Sequence, residues 1–151
     1  MSTRFATVSK EIEFDAGHRV TFHDSKCRHP HGHRYRVRVL VSGAVIDDSL
    51  EASDSGMVID FSDIKRLLTE RVHDVYDHAF IVWNRDLLML KAFAPLIEKD
   101  FRIVIVDFIP TAENLAASIF DDLDITFESL GLTLDRVDVF ETPTSVASVS
   151  A

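Results

Sequence analysis

The sequence predicts an α+β domain, a four-stranded, mainly antiparallel sheet with two helices on one face. Three observations predict it. Residues 33 to 42 set Tyr35, Val37, Val39 and Val41 against Arg34, Arg36 and Arg38, the period-two alternation of a strand with one covered face. Two later segments carry apolar residues at helical spacing, and the elements follow in the order strand, strand, helix, strand, helix, strand, which suits two packed layers. The chain has 151 residues, 46% of them apolar, enough for one core; with only five Gly and four Pro it has no linker-like run, so a single domain over 1–151 is expected.

The first strand covers residues 4 to 16, with Val8, Ile12 and Phe14 on one parity, and ends near Gly17-His18. The second is the alternating run at 33 to 42, and Gly43 to Gly56 reads as an irregular connection. Asp60 then caps a helix to about Val75, with Phe61, Ile64, Leu67, Leu68, Val72 and Val75 as its stripe. Leu87 to Lys99 holds a short helix that Pro95 breaks, and an apolar strand follows over 102 to 108. Pro110-Thr111 opens the other long helix, whose buried stripe is Leu115, Ala116, Ile119, Phe120 and Leu123. The last strand runs from 134 to 142, with Val137, Val139 and Glu141 on one parity. The tail from Pro143 to Ala151 is expected to fray. A sheet this thin exposes its edges, and closure with further copies into a barrel would cover them.

Composition narrows the function classes. A net charge of −9 argues against nucleic acid, because phosphate backbones attract clustered Lys and Arg. No stretch approaches the roughly 18 apolar residues of a membrane span, and Met1 to Lys10 lacks a signal-like apolar run. The single cysteine excludes an internal disulfide and suits a reducing compartment, so a cytoplasmic protein is expected. Positive charge is nevertheless concentrated locally at Arg28, Arg34, Arg36 and Arg38. The last three read as the polar face of their strand, whereas Arg28, off the strand beside Cys27, is the candidate for an anionic ligand.

The chemistry centres on His31-Gly32-His33. Two imidazoles one residue apart on a strand point to the same side, and His18 at the end of the preceding strand joins them if the two strands pair. Three imidazoles suit zinc and leave a fourth position open. Cys27 reads as a fourth ligand, as a working thiolate beside the ion, or as an inert side chain, and spacing does not choose. His23 and His29 in the same loop are alternative ligands. Asp77-His78 offers a carboxylate that can orient an imidazole for proton transfer. Glu141 ends a strand with a carboxylate that can grip a guanidine-like heterocycle edge, while Glu113 is by itself a favourable first-turn charge.

Taken in order, Phe14-x-Ala16-Gly17-His18, Cys27-x-x-x-His31-Gly32-His33-x-Tyr35, Gly56-Met57-Val58-Ile59-Asp60-Phe61, Asp77-His78, Pro110-Thr111-Ala112-Glu113-Asn114 and Glu141-Thr142 resemble the family of 6-pyruvoyl- and 6-carboxytetrahydropterin synthases across nearly the whole chain. The resemblance implies a tunnelling fold (T-fold), in which trimers close a barrel and two trimers stack into a homo-hexamer with active sites between subunits. It implies zinc held by His18, His31 and His33, a catalytic thiol at Cys27, a proton relay at Asp77 and His78, and a pterin anchor at Glu141 that also serves the relay. Thr111 and Glu113 match residues around the pterin pocket. The implied substrate is 7,8-dihydroneopterin triphosphate, with no redox cofactor. The three-residue gap between Cys27 and His31 resembles the carboxy branch of the family, which releases acetaldehyde and triphosphate on the way to deazapurines such as queuosine. The pyruvoyl branch, or a zinc-stabilised module that binds a pterin without turnover, are the alternatives.

Overall fold

The computed structural model describes residues 3–151. The long alternating segments form a hairpin of two 14-residue strands, β1 (Phe5–His18) and β2 (His31–Ala44), paired from Phe5 opposite Ala44 to His18 opposite His31. After β2 come α1 (Phe61–Leu68), a π-helical turn (Thr69–His73), the short α2 (Asp74–Tyr76), β3 (Ala79–Trp83), α3 (Leu87–Ile97) and β4 (Ile103–Val106). The chain ends with α4 (Ala112–Ser129), β5 (Thr133–Thr142) and β6 (Ser145–Ser150). The strands make one mixed sheet in the order β4-β3-β1-β2-β5-β6.

One face of the central strands makes the core. Val37, Val39 and Val41 of β2 and Leu134, Val137 and Val139 of β5 are fully buried against Ile64 and Leu68 of α1 and Leu115, Ile119, Leu123 and Phe127 of α4. The other face carries ion pairs: Arg34 with Asp15, Arg36 with Glu11, and Arg38 with Glu11 and Asp138. The three strand arginines are thus tied to carboxylates, as the polar-face reading expects.

Several expectations need correction. The sheet has six strands, not four. β3 escapes a period-two reading because Ala-Phe-Ile-Val-Trp is apolar throughout, as suits a parallel strand covered on both faces; it runs parallel to both β1 and β4. The tail expected to fray contains β6, which pairs antiparallel with β5 from Ser145 to Ser150. Its Ser-rich composition hid a strand that ladder bonds sustain. The helix expected to run evenly to Val75 changes pitch at the π turn, where the Thr69 hydroxyl donates to the Lys65 carbonyl at 2.8 Å. The change of phase turns Tyr76 inward and leaves Val75 exposed. Pro95 does not break its helix, which continues to Ile97. Among the described residues, no helix is long and apolar enough to cross a membrane.

Candidate active site

The site is the continuation of the core face past the point where apolar residues stop. Along β1 the inward residues run Phe14, Ala16, His18; along β2 they run Val37, Tyr35, His33, His31; along β5 they run Val137, Val139, Glu141. The alternation that buries the valines therefore sets three imidazoles and one carboxylate on the same side of the sheet. The hairpin register brings His18 opposite His31 and Ala16 opposite His33. The glycines between them point to the other face. A Cβ on Gly17 would stand 2.5 Å from the Phe80 ring, and one on Gly32 would stand 3.0 Å from the Ala16 carbonyl.

One ligand-type atom from each of His18, His31 and His33 lies within 4.8 Å of the other two. Two of the rings are oriented by backbone carbonyls. His18 Nδ1 donates to the Pro110 carbonyl at 2.5 Å, and His31 Nδ1 donates to that of His29 at 2.7 Å. A carbonyl only accepts, so these bonds place the proton on Nδ1 and leave Nε2 free as a ligand. Pro110 is itself held by the start of α4, where the Thr111 hydroxyl accepts from the Asn114 N–H and the Asn114 amide donates to the Ile109 carbonyl at 2.9 Å.

The fit to a metal ion rests on two orphaned atoms. His18 Nε2 and His33 Nε2 are buried without a hydrogen-bond partner, a costly state for a polar atom unless something binds there. Glu141 Oε1 lies 3.4 Å from the first and 3.6 Å from the second and forms no hydrogen bond with either. Burial lowers the affinity of His18 for a proton, outweighing the Pro110 carbonyl and Glu141, and burial likewise lowers that of His33. Neutral imidazole is the form that binds metal. Of the alternative ligands, His29 supplies only its carbonyl to this cluster and His23 turns back onto the Ser25 N–H at 3.0 Å.

Cys27, Glu141, Thr111 and Glu113 line a common cleft with His31, of about 260 Å³. Cys27 stands outside the group of ligand atoms, on a single turn of 3-10 helix (Lys26–Arg28) in the connection between β1 and β2. The Arg28 side chain is exposed beside it and does not line the cleft.

Asp77 and His78 lie elsewhere. They follow α2, and His78 lines a second hollow with Asp15, Gly17, His31, Gly32, His33 and Arg34. The pair is firmly built: Asp77 Oδ2 meets His78 Nδ1 at 2.7 Å, Asp77 Oδ1 accepts the Asp15 N–H at 3.0 Å, and the His78 N–H donates to the Asp15 carbonyl at 2.7 Å. The Asp15 N–H is the main reason why the Asp77 carboxyl is held below its ordinary value. His78 adopts a left-handed φ of 57°, an uncommon conformation that clusters at functional positions. Within one chain Cys27 and Glu141 line one cleft and His78 lines the other hollow, with His31 bordering both. Arg19 and Asp86, which brace the connection carrying Cys27, were not legible as site residues; they are 67 positions apart and belong to no motif.

Comparison with known proteins gives the family and the fold. The family model described as 6-pyruvoyl tetrahydropterin synthase matches residues 7–151. A protein of Haemophilus influenzae named 6-carboxy-5,6,7,8-tetrahydropterin synthase is 36% identical over 139 residues, covering 91% of this chain and 94% of the relative. One of the same name from Rickettsia bellii is 33% identical over 144 residues, covering 93% and 97%. Among solved structures, an uncharacterized protein of Wolinella succinogenes superposes with a TM-score of 0.79 at 26% identity over 97% of this chain and 98% of its own. The 6-pyruvoyl tetrahydropterin synthase of Caenorhabditis elegans shares the fold, with a TM-score of 0.69 at 23% identity over 100% of this chain and 99% of that one.

Proposed function

Because the chain belongs to the 6-pyruvoyl tetrahydropterin synthase family, we propose that it is a 6-carboxy-5,6,7,8-tetrahydropterin synthase, converting 7,8-dihydroneopterin triphosphate to 6-carboxytetrahydropterin, acetaldehyde and triphosphate. The observation that carries the chemistry is the convergence of three imidazoles, two with orphaned buried Nε2 atoms, beside a cleft that holds a thiol and a carboxylate. The branch rests on the relatives' names and on the three-residue gap Arg28-His29-Pro30 between Cys27 and His31.

His18, His31 and His33 would hold zinc, whose role when bound is to polarise the hydroxyls of the substrate side chain and lower their pKa. Cys27 in this reading moves a proton at the adjacent carbon. Glu141, at the end of β5, takes the guanidine-like edge of the pterin through paired hydrogen bonds and serves the proton relay, with Thr111 and Glu113 at the pocket wall. Asp77 holds the His78 imidazole through Nδ1, leaving its Nε2 to exchange a proton with the substrate oxygen. Arg28, exposed beside the thiol, is the candidate partner for the triphosphate.

Two observations support a site shared between copies. His78 faces a different hollow from Cys27 within one chain, and a cleft of about 260 Å³ is below the roughly 300–1,000 Å³ usual for a ligand site. Along most of its length β1 pairs only with β2, since β3 meets it only at Ala16 and Gly17, and β6 ends the sheet on the other side. Edges of this kind suit closure with two further copies, and a homo-hexamer of stacked trimers is our reading of the assembly. A reducing, cytoplasmic setting accords with the lone cysteine and a working thiol. The test is incubation of zinc-loaded protein with 7,8-dihydroneopterin triphosphate and mass analysis of the products. Detection of 6-carboxytetrahydropterin supports the assignment. A pyruvoyl product would move the chain to the other branch, and unchanged substrate would refute the activity.

A further inference from the structure

Among the described residues two buried carboxylates have no part in the chemistry above: Asp138, paired with Arg38 and Arg136 on the sheet, and Asp86. Asp86 is 3% exposed and caps α3, accepting from the Met89 N–H at 3.3 Å. It also accepts from Arg19 twice, from Nε at 2.6 Å and Nη2 at 2.7 Å, and from the Thr21 hydroxyl at 3.2 Å. Burial alone would raise its carboxyl, yet the bonds from Arg19 and Met89 hold it below the ordinary value, so the pair stays ionic.

Arg19 directly follows the ligand candidate His18 and reaches across the connection between β1 and β2. Its Nη1 donates to the Arg28 carbonyl at 3.3 Å, one residue past Cys27, and the Val20 N–H donates to the Cys27 carbonyl at 2.9 Å. Packing does little to order this connection. No side chain of residues 19–30 is fully buried, and its large aromatic, Phe22, is 74% exposed and stands edge-to-face with Trp83. Hydrogen bonds from the Arg19 side chain and the Val20 N–H therefore hold the Arg28 and Cys27 carbonyls of the thiol-bearing turn. A bidentate guanidinium with a third donor to spare suits this task, and an ammonium cannot make all three bonds in the same geometry.

We propose that the Arg19–Asp86 pair is a positioning device, which holds the Lys26–Arg28 turn, and with it the Cys27 thiol, at a fixed place relative to His18. Neither residue lines the cleft. The proposal rests on Cys27 being the working thiol.

The test uses zinc-loaded Arg19→Lys protein, with Asp86→Asn as the second variant. Arg19→Lys keeps a positive charge beside Asp86 and loses the reach to the Arg28 carbonyl. A misplaced reacting group costs on the order of 10- to 100-fold in rate, so kcat should fall by that factor with KM within about twofold of wild type. Zinc stoichiometry and Tm should stay near wild type, and the rate at which iodoacetamide alkylates Cys27, the single cysteine, should rise as the turn loosens. Asp86→Asn should move kcat and the alkylation rate in the same directions. Wild-type kcat in Arg19→Lys overturns the proposal, and so does a loss of kcat wholly accounted for by lost zinc or lost fold. Cys27→Ala, assayed alongside, separates the two levels: full activity there refutes the thiol's role, whereas the alkylation rates still report on the turn.

Discussion

At the scale of single residues, the site depends on holding neutral imidazoles with their lone pairs inward. Both His18 and His33 take up a proton less readily than the ordinary imidazole value of 6.5, with burial as the main cause. The unfolded chain therefore binds protons that the folded chain does not, and stability must rise with pH over the window in which these groups titrate. Their contribution is fully present above 6.5 and is lost as the pH falls below it. Metal-free protein should accordingly melt at a lower temperature at about pH 5.5 than at about pH 7.5 by calorimetry. Equal midpoints would show that the fold does not keep the rings neutral. For Cys27, replacement by Ala should leave one zinc per chain and reduce turnover by about 100-fold or more, the scale of a lost proton-transfer group. Metal analysis and a steady-state assay on the same preparation decide it, and joint loss of zinc and assembly would make the cysteine a structural ligand.

At the scale of elements, the hairpin carries the account. Gly17 faces Phe80 of β3, which packs edge-on against Phe93 of α3 at 4.9 Å between ring centres. Gly17→Ala should cost about 1–3 kcal/mol by overpacking and weaken zinc binding by displacing His18; urea unfolding and a zinc titration measure the two effects. Leu123→Ala, in the buried stripe of α4 far from the cleft, should cost about 2–5 kcal/mol and leave zinc affinity unchanged. What the sequence disclosed follows the same division. The β1–β2 hairpin and α4 were legible because half of each faces a core and half faces water, so periodicity marks them. β3 offered no alternation, since both its faces are covered, and β6 is built of Ser, Val and Ala with too little apolar area to announce itself. The three imidazoles were legible for the same reason as the hairpin: they continue its parity. The brace from Asp86 to Arg19 was not, because a single carboxylate meeting a single guanidinium far along the chain leaves no periodic trace. Nor could spacing show that His78 and Cys27 line different hollows; that follows from where the turn after α2 meets Asp15.

At the scale of the whole molecule, the proposal that the thiol and the relay come from different copies rests on Cys27 and His78 lining different hollows of one chain. This can be tested without resolving the assembly. Cys27→Ala and His78→Ala should each be inactive alone. After the two are unfolded together and refolded in equal amounts, random assortment should restore about a quarter of wild-type turnover if the thiol and the relay come from different chains. No recovery would place both groups in one chain and remove the main support for the shared site.

One hairpin, in this reading, builds a metal-dependent site for cleaving the side chain of a pterin. The most direct test is the release of acetaldehyde from 7,8-dihydroneopterin triphosphate by metal-stripped protein titrated with zinc. Release should begin with the first additions and level off at one zinc per chain. Release that ignores the metal, or triphosphate set free without acetaldehyde at full zinc loading, would contradict the claim.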